Sequence, residues 1–559
     1  MILSDFALAQ VRFSAPSWWP PVTVALAVLL ALPVLVVVGF VFVPAGDVWR
    51  HLVDTVLADY VLNSLLLMLG VAIGTLIGGV GTAWLTTMCQ FPGRGLFEWA
   101  LLLPMAMPAY IIAYTYTGLL DVAGPVQSGL RELMGWGYGD YWFPQVRSLP
   151  GAAVMLSLVL YPYVYMLARA AFLSQSLAVL EVSRTLGNGP WRTFLTLALP
   201  LARPAVVAGL ALALMETLAD YGTVQYFGIS TFTTGIFRTW FGLGNPAAAA
   251  QLAAVLLGFV FALILLERWS RAGARYHATG QREQSIRRLR LHGVNGLLAW
   301  LFCLLPLLFG FLLPAGQLAF WSWSFAADAS SDGFLQLALN SLGLAAGAAL
   351  LAVALALLIG YGKRLYPVAS VRLSARVAGL GYAVPGTVIA VGVLIPFAWF
   401  DNALDARMRE WFGLSTGLLL SGTLFALVFA YLVRFLSVAL QTVESGLGKI
   451  RPAIDDASRS LGLAPGQTLW RVHVPMLRGS LLTAGLLVFV DVLKELPATL
   501  ILRPFDFNTL AVRAYELASD ERLADSGPAA LTIVLAGLLP VILLSRAITR
   551  SRGTEGGSD

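Results

Sequence analysis

Twelve long apolar stretches divide this chain of 559 residues. They lie near 22–43, 60–86, 96–118, 151–172, 204–226 and 248–267 in the first half. In the second half they lie near 294–318, 335–361, 376–400, 414–440, 480–502 and 529–547. A helix needs about 20 mostly apolar residues to cross a bilayer, so each stretch predicts one crossing. The runs are continuous rather than alternating, which argues against a β-barrel. Charged residues make up 12% of the chain and mean hydropathy is +0.79, against about 25% charge in an ordinary soluble domain. The expected fold is an all-α polytopic membrane protein of about twelve transmembrane helices. Trp18, Trp19, Pro20 and Pro21 precede the first stretch, with little positive charge and no clear cleavage site after it. That stretch is read as a retained helix rather than a signal peptide.

The pattern is duplicated. EVSRTLGNGPWRTFLTLALP, residues 181–200, is matched by DASRSLGLAPGQTLWRVHVP, residues 456–475. Asn63-Ser64 corresponds to Asn340-Ser341, and Pro108 to Pro385. Two six-span halves are expected, residues 1–268 and 293–559, joined by a basic linker at 269–292. Six crossings return the chain to its starting side, so the halves should be parallel repeats about an axis along the membrane normal. With both termini placed in the cytoplasm, 24 of the 36 Lys and Arg residues are cytoplasmic, 9 lie in outer loops and 3 lie in spans or at their ends. This is the positive-inside bias. The arginine-rich linker is read as a topological anchor rather than a nucleic-acid site. Both repeated segments then face the cytoplasm.

Each repeated segment has the makings of a rigid knob. Gly187 and Gly462 lack a Cβ and permit a tight turn between short helices. Leu197, Leu199, Val472 and Val474 offer apolar contacts. Pro200 and Pro475 are expected to break the segment before the next span. A soluble partner could grip such a knob.

Four carboxylates lie inside spans: Glu216, Asp220, Asp491 and Glu495. The two pairs are spaced i, i+4, which would put each pair on one helix face. They correspond across the repeat at the same offset of 275 as the knobs. Intramembrane carboxylates cost about 2.5–3.5 kcal/mol on insertion scales and face a bundle interior or water. Two readings stand. They could line a path for a hard cation, which favours oxygen ligands, and could ligate a metal directly. Alternatively they pair with Lys494, hydroxyls and backbone to lock the bundle, the reading with more weight against direct ligation.

Other features exclude chemistry. Only Lys363, Lys449 and Lys494 are present, and none completes the phosphate-loop spacing G-x4-G-K-[ST]. Energy must come from another subunit or an ion gradient. Cys89 and Cys303 are far apart in sequence, and His51, His277, His292 and His473 form no ligand spacing. His473 is expected at the surface of the second knob.

The repeated segments resemble the E-A-A-x3-G-x9-I-x-L-P motif of permease subunits in bacterial binding-protein-dependent ATP-binding-cassette (ABC) importers. Val182 and Ser183 replace the two alanines and Asp456 replaces the leading Glu; both Gly and both Pro positions are kept. The resemblance covers essentially the whole chain as a two-copy permease with the type I core. It implies that Glu181, Ser183, Gly187, Leu199 and Pro200, with Asp456, Ser458, Gly462, Val474 and Pro475, couple to two copies of a cytoplasmic ATP-binding subunit. That subunit would bind ATP and magnesium; this chain would bind no cofactor and catalyse nothing. Residues 215–253 and 493–526 are similar to fused permeases of the ferric-iron group. This implies Fe(III) delivered by a periplasmic binding protein across the bacterial inner membrane. Related permeases for thiamine, phosphonates or polyamines remain alternatives. So does a twelve-span secondary transporter, which would need no matched docking segments.

Overall fold

The computed structural model describes residues 18–175, 183, 185, 187, 189–271, 288–324 and 332–553. Among them the twelve expected crossings become ten long apolar helices, one bent pair and one shorter apolar helix, Gly527–Ile542. The bent pair, Arg94–Ala106 and Ala109–Met134, turns by 91°. Met107 is extended (φ −92°, ψ 114°) because the following Pro108 disfavours helix there. The ninth crossing begins at Gly386, ten residues past the expected edge; residues Ala369–Ala378 form a separate helix.

The fifth and eleventh crossings differ most from expectation. They start early and end early, as Trp191–Ala219 and Pro465–Leu493. Pro200 and Pro475 do not break them. A π-helical turn precedes each proline, over Phe194–Ala198 and Leu469–His473. Leu199 N–H bonds to the Phe194 carbonyl and Val474 N–H to the Leu469 carbonyl, five residues back. The wider turn accommodates a residue that has no N–H to give. The actual breaks come at mid-span. Asp220 and Lys494 end their helices, and short helices Gly222–Tyr226 and Pro497–Leu502 follow.

The halves match in detail. Asn63 Nδ2 donates to the Ser230 carbonyl (2.9 Å), and Leu510 N–H donates to Ser341 Oγ (2.8 Å). Each paired Asn-Ser signal therefore holds the loop that follows the broken helix of its own half. Of the expected linker, residues 272–287 lie outside the described residues. Its end, Leu289–Arg290, pairs in parallel with Cys89–Gln90.

The sequence halves interlock in space. The first helix, Trp19–Gly39, packs on the second half. Trp19 meets Tyr361 edge to face at 6.0 Å, Thr23 lies over Gly362, and the Pro33 backbone lies against Gly392. In exchange, the seventh crossing packs on the first half. Trp300 meets Phe97 at 6.3 Å, Gly310 abuts the Leu158 carbonyl, and Tyr116 donates to the Phe309 carbonyl (2.7 Å). Neither sequence half is a separate body.

Candidate functional site

The broken helices of the two halves meet at a cavity of about 120 Å³. All four intramembrane carboxylates line it, with Tyr163, Tyr382, Arg434 and Lys494. Non-helical backbone at membrane depth is tolerated where it lines such a space.

The carboxylates do not share helix faces in pairs. Asp220 has left its helix (φ −66°, ψ 131°) and accepts from Val224 N–H (3.1 Å) and Thr223 Oγ1 (3.0 Å). Glu495 stands just past its helix end. It accepts from Ala498 N–H (2.9 Å), Thr499 N–H (3.0 Å) and Thr499 Oγ1 (2.6 Å). Each caps the short helix that follows, satisfying N–H groups that have no intrahelical partner. Glu495 also accepts from Arg434 Nη1 at 3.2 Å, a buried pair. Asp491 pairs with Lys494 at 2.8 Å. Glu216 makes no hydrogen bond or ion pair with any described residue.

No three His, Cys, Asp or Glu groups among the described residues are grouped so as to hold one metal ion. The four carboxylates therefore do not form one ligand set: two of them cap backbone and Asp491 pairs with Lys494, in line with the reading that carried more weight against direct ligation. Sequence reasoning also missed Arg434 as a partner. The signal was present: an arginine near the middle of an apolar span must find an acid.

At the other end of the fifth and eleventh crossings stand the repeated elbows. Gly187 (φ +80°) and Gly462 (φ +77°) both adopt the left-handed conformation, with open space where a Cβ would sit. Glu181 lies outside the described residues. Ser183 and Ser458 are buried: Ser183 Oγ is 3.1 Å from Thr193 Oγ1, and Ser458 donates to the Ile454 carbonyl (2.9 Å). Asp456 is exposed. Leu199–Pro200 and Val474–Pro475 open the helices that follow the π turns. His473 is buried rather than at the surface, its Nε2 2.7 Å from Asp455 Oδ1. Arg364 holds the other Asp455 oxygen at 2.7 Å, and Tyr361 donates to the Pro465 carbonyl (2.9 Å). This cluster ties the second elbow to the end of Gly333–Leu365. The first elbow has Ala198 where the second has His473.

Residues 79–272 match the family of binding-protein-dependent transport system inner membrane components. The chain is 27% identical to the Fe(3+)-transport system permease protein FbpB 2 of Haemophilus influenzae, over 95% of this chain and 98% of that protein. It is 24% identical to the ferric transport system permease protein FbpB of Actinobacillus pleuropneumoniae, over 91% of this chain and 72% of that protein. It is 26% identical to the molybdenum transport system permease protein ModB of Escherichia coli, over 34% of this chain and 83% of that protein. The chain is a membrane permease component of an ABC-type importer.

A permease of this family works with a cognate ATPase and a periplasmic binding protein. It is a non-catalytic, multi-pass component. The cavity and the elbows lie at opposite ends of the same two helices.

Proposed function

We propose that this permease passes ferric iron from a binding protein through the central cavity into the cytoplasm. The supporting observation is the charge of the cavity lining: four carboxylates against two cations, with Glu216 making no hydrogen bond or close ion pair among the described residues. A net acidic lining attracts a cation and repels an oxyanion. The cavity, at about 120 Å³, is well below the roughly 300–1,000 Å³ of ordinary ligand pockets. It suits a small ion rather than a bulky chelate. Full-length likeness to ferric permeases points the same way.

In this reading Ser183, Gly187, Leu199 and Pro200, with Asp456, Ser458, Gly462, Val474 and Pro475, grip two ATPase subunits from the cytoplasm, where both termini also lie. Glu181 belongs to the same grip. Closure of the ATPase pair moves the elbows, and the helices running to Asp220 and Lys494 carry that movement to the cavity.

A second reading has one observation in its favour. Arg434 Nε is buried without a hydrogen-bond partner and could serve an oxyanion such as molybdate. The reconstituted complex separates the two. Ferric-loaded binding protein should stimulate ATP hydrolysis and drive uptake, and a molybdate-loaded one should not. The opposite result would replace the ferric reading with the oxyanion one.

A further inference from the structure

On the face opposite the elbows, one arginine bridges the two halves. Arg147 lies two residues before the 26-residue helix Leu149–Ser174, which spans about 39 Å at 1.5 Å per residue. The first elbow follows the far end of that helix. Arg147 Nη1 and Nη2 donate to Glu521 Oε1 and Oε2, each at 2.9 Å. Arg147 Nη2 also donates to the Tyr226 hydroxyl (3.3 Å) and lies 3.7 Å from Asp121 Oδ2, while the guanidinium sits 4.9 Å from the Tyr226 ring centre. Planar bidentate pairing of this kind is the strongest ion-pair geometry.

The backbone at Glu521 is unusual. It is the one non-glycine residue with positive φ (60°) among those described. It ends the helix Leu510–Ser519 in a Schellman turn: Glu521 N–H bonds to the Ala518 carbonyl and Arg522 N–H to the Leu517 carbonyl. Glycine is the default residue at that position. A glutamate there is held in a costly conformation, and such strain is retained where function uses it. What the glutamate provides is its reach to Arg147 in the other half.

Below this pair, rings fill the way to the cavity. Tyr226 meets Tyr114 at 4.6 Å, and Tyr114 meets Tyr110 at 5.7 Å. Tyr110 lines the cavity. Beside them Tyr221 of the first half lies 6.1 Å from Tyr515 of the second.

We infer that the Arg147–Glu521 pair is a latch that holds the mouth opposite the elbows closed over this tyrosine column. For the cavity to open on that side, the two halves must part there, and this pair must release. The inference rests on the import reading for its purpose but not for its geometry.

The test uses the full-length chain in right-side-out vesicles, without nucleotide or binding protein. Ala109→Cys places a thiol in the cavity lining, since the native Cys89 and Cys303 are buried. A membrane-impermeant maleimide is added on the side of Arg147. Arg147→Ala and Glu521→Gly should each raise the labelling rate about three- to fivefold, the population shift expected on losing an exposed bidentate pair. Glu521→Gly also relaxes the positive φ, so the fold is kept while the carboxylate is lost. Labelling at the unmodified rate in both variants overturns the latch. Faster labelling in a chain that recruits no ATPase would leave the latch standing and sink the import reading instead.

Discussion

Replacing Gly462 tests the coupling role of the elbows with little steric confusion. Its φ is +77°, and nothing lies within 4 Å of a Cβ built there. The cost of an L residue is therefore almost wholly backbone, about 1–2 kcal/mol for alanine. Asparagine should cost less, because it tolerates the left-handed region, and valine should cost more. One or two kcal/mol is a factor of roughly 5–30 in the population of the docking conformation. Titrating the solubilised permease with its ATPase subunit should show affinity falling in the order Gly, Asn, Ala, Val, by about that factor at alanine. Gly187 (φ +80°) is equally open, so the same series should recur there, and the two losses should add as distant sites do. Melting curves run in parallel provide the control. If alanine and valine at both sites bind the ATPase as glycine does, the elbows are not the coupling surface. A lowered melting temperature with unchanged affinity would refute the role equally.

Other perturbations probe the cavity and the latch. Glu216→Gln breaks no hydrogen bond or close ion pair among the described residues and should cost less than about 1 kcal/mol of unfolding stability, while slowing uptake in proteoliposomes; unchanged uptake would remove Glu216 from the path. Arg434→Met strands Glu495 in a buried site and should destabilise by about 3 kcal/mol, the low end for a broken buried pair, since three other donors remain. Adding Glu495→Gln should restore much of that loss in the same unfolding assay. Arg147 holds the Glu521 carboxyl below its ordinary value, with Asp121 and Tyr226 facing the same guanidinium. Because that value is depressed, the latch is fully present above the ordinary glutamate value of about 4.3 and is lost as pH falls through the lowered one. Because maleimide attacks only the thiolate, labelling of Ala109→Cys is divided by the rate for a freely exposed thiol at the same pH; that ratio should stay low at neutral pH and rise only under strongly acid conditions.

Much of this architecture was legible in the residues. Continuous apolar runs announced the helices, and the matched Gly-to-Pro segments announced the duplication; the π turn that both copies share was not foreseen. The four carboxylates singled out in the spans line one cavity. Their geometry was not legible, because i, i+4 spacing implies a common face only while the helix continues. At Asp220 and Glu495 the chain breaks instead; Gly222 and Pro497 stand two residues on in the sequence, local signals of an interruption that the i, i+4 reading passed over. Pro200 and Pro475 misled for the converse reason: a proline signals an interrupted ladder, and a widened turn meets that need without stopping the helix. His473 shows a third limit. Its partners Asp455 and Arg364 lie 18 residues away and on another helix, so only folding brings them together.

The exchange of first helices bears on how the protein is made. Thr23 and Pro33 find Gly362 and Gly392, which leave the ribosome more than 300 residues later. At about 5–20 residues per second, the leading helix waits in the lipid for roughly 20–70 s before its seat is synthesised. Its apolar circumference must be content with acyl chains during that interval. Biogenesis of this permease thus closes like a clasp, with a segment made early among the last to dock.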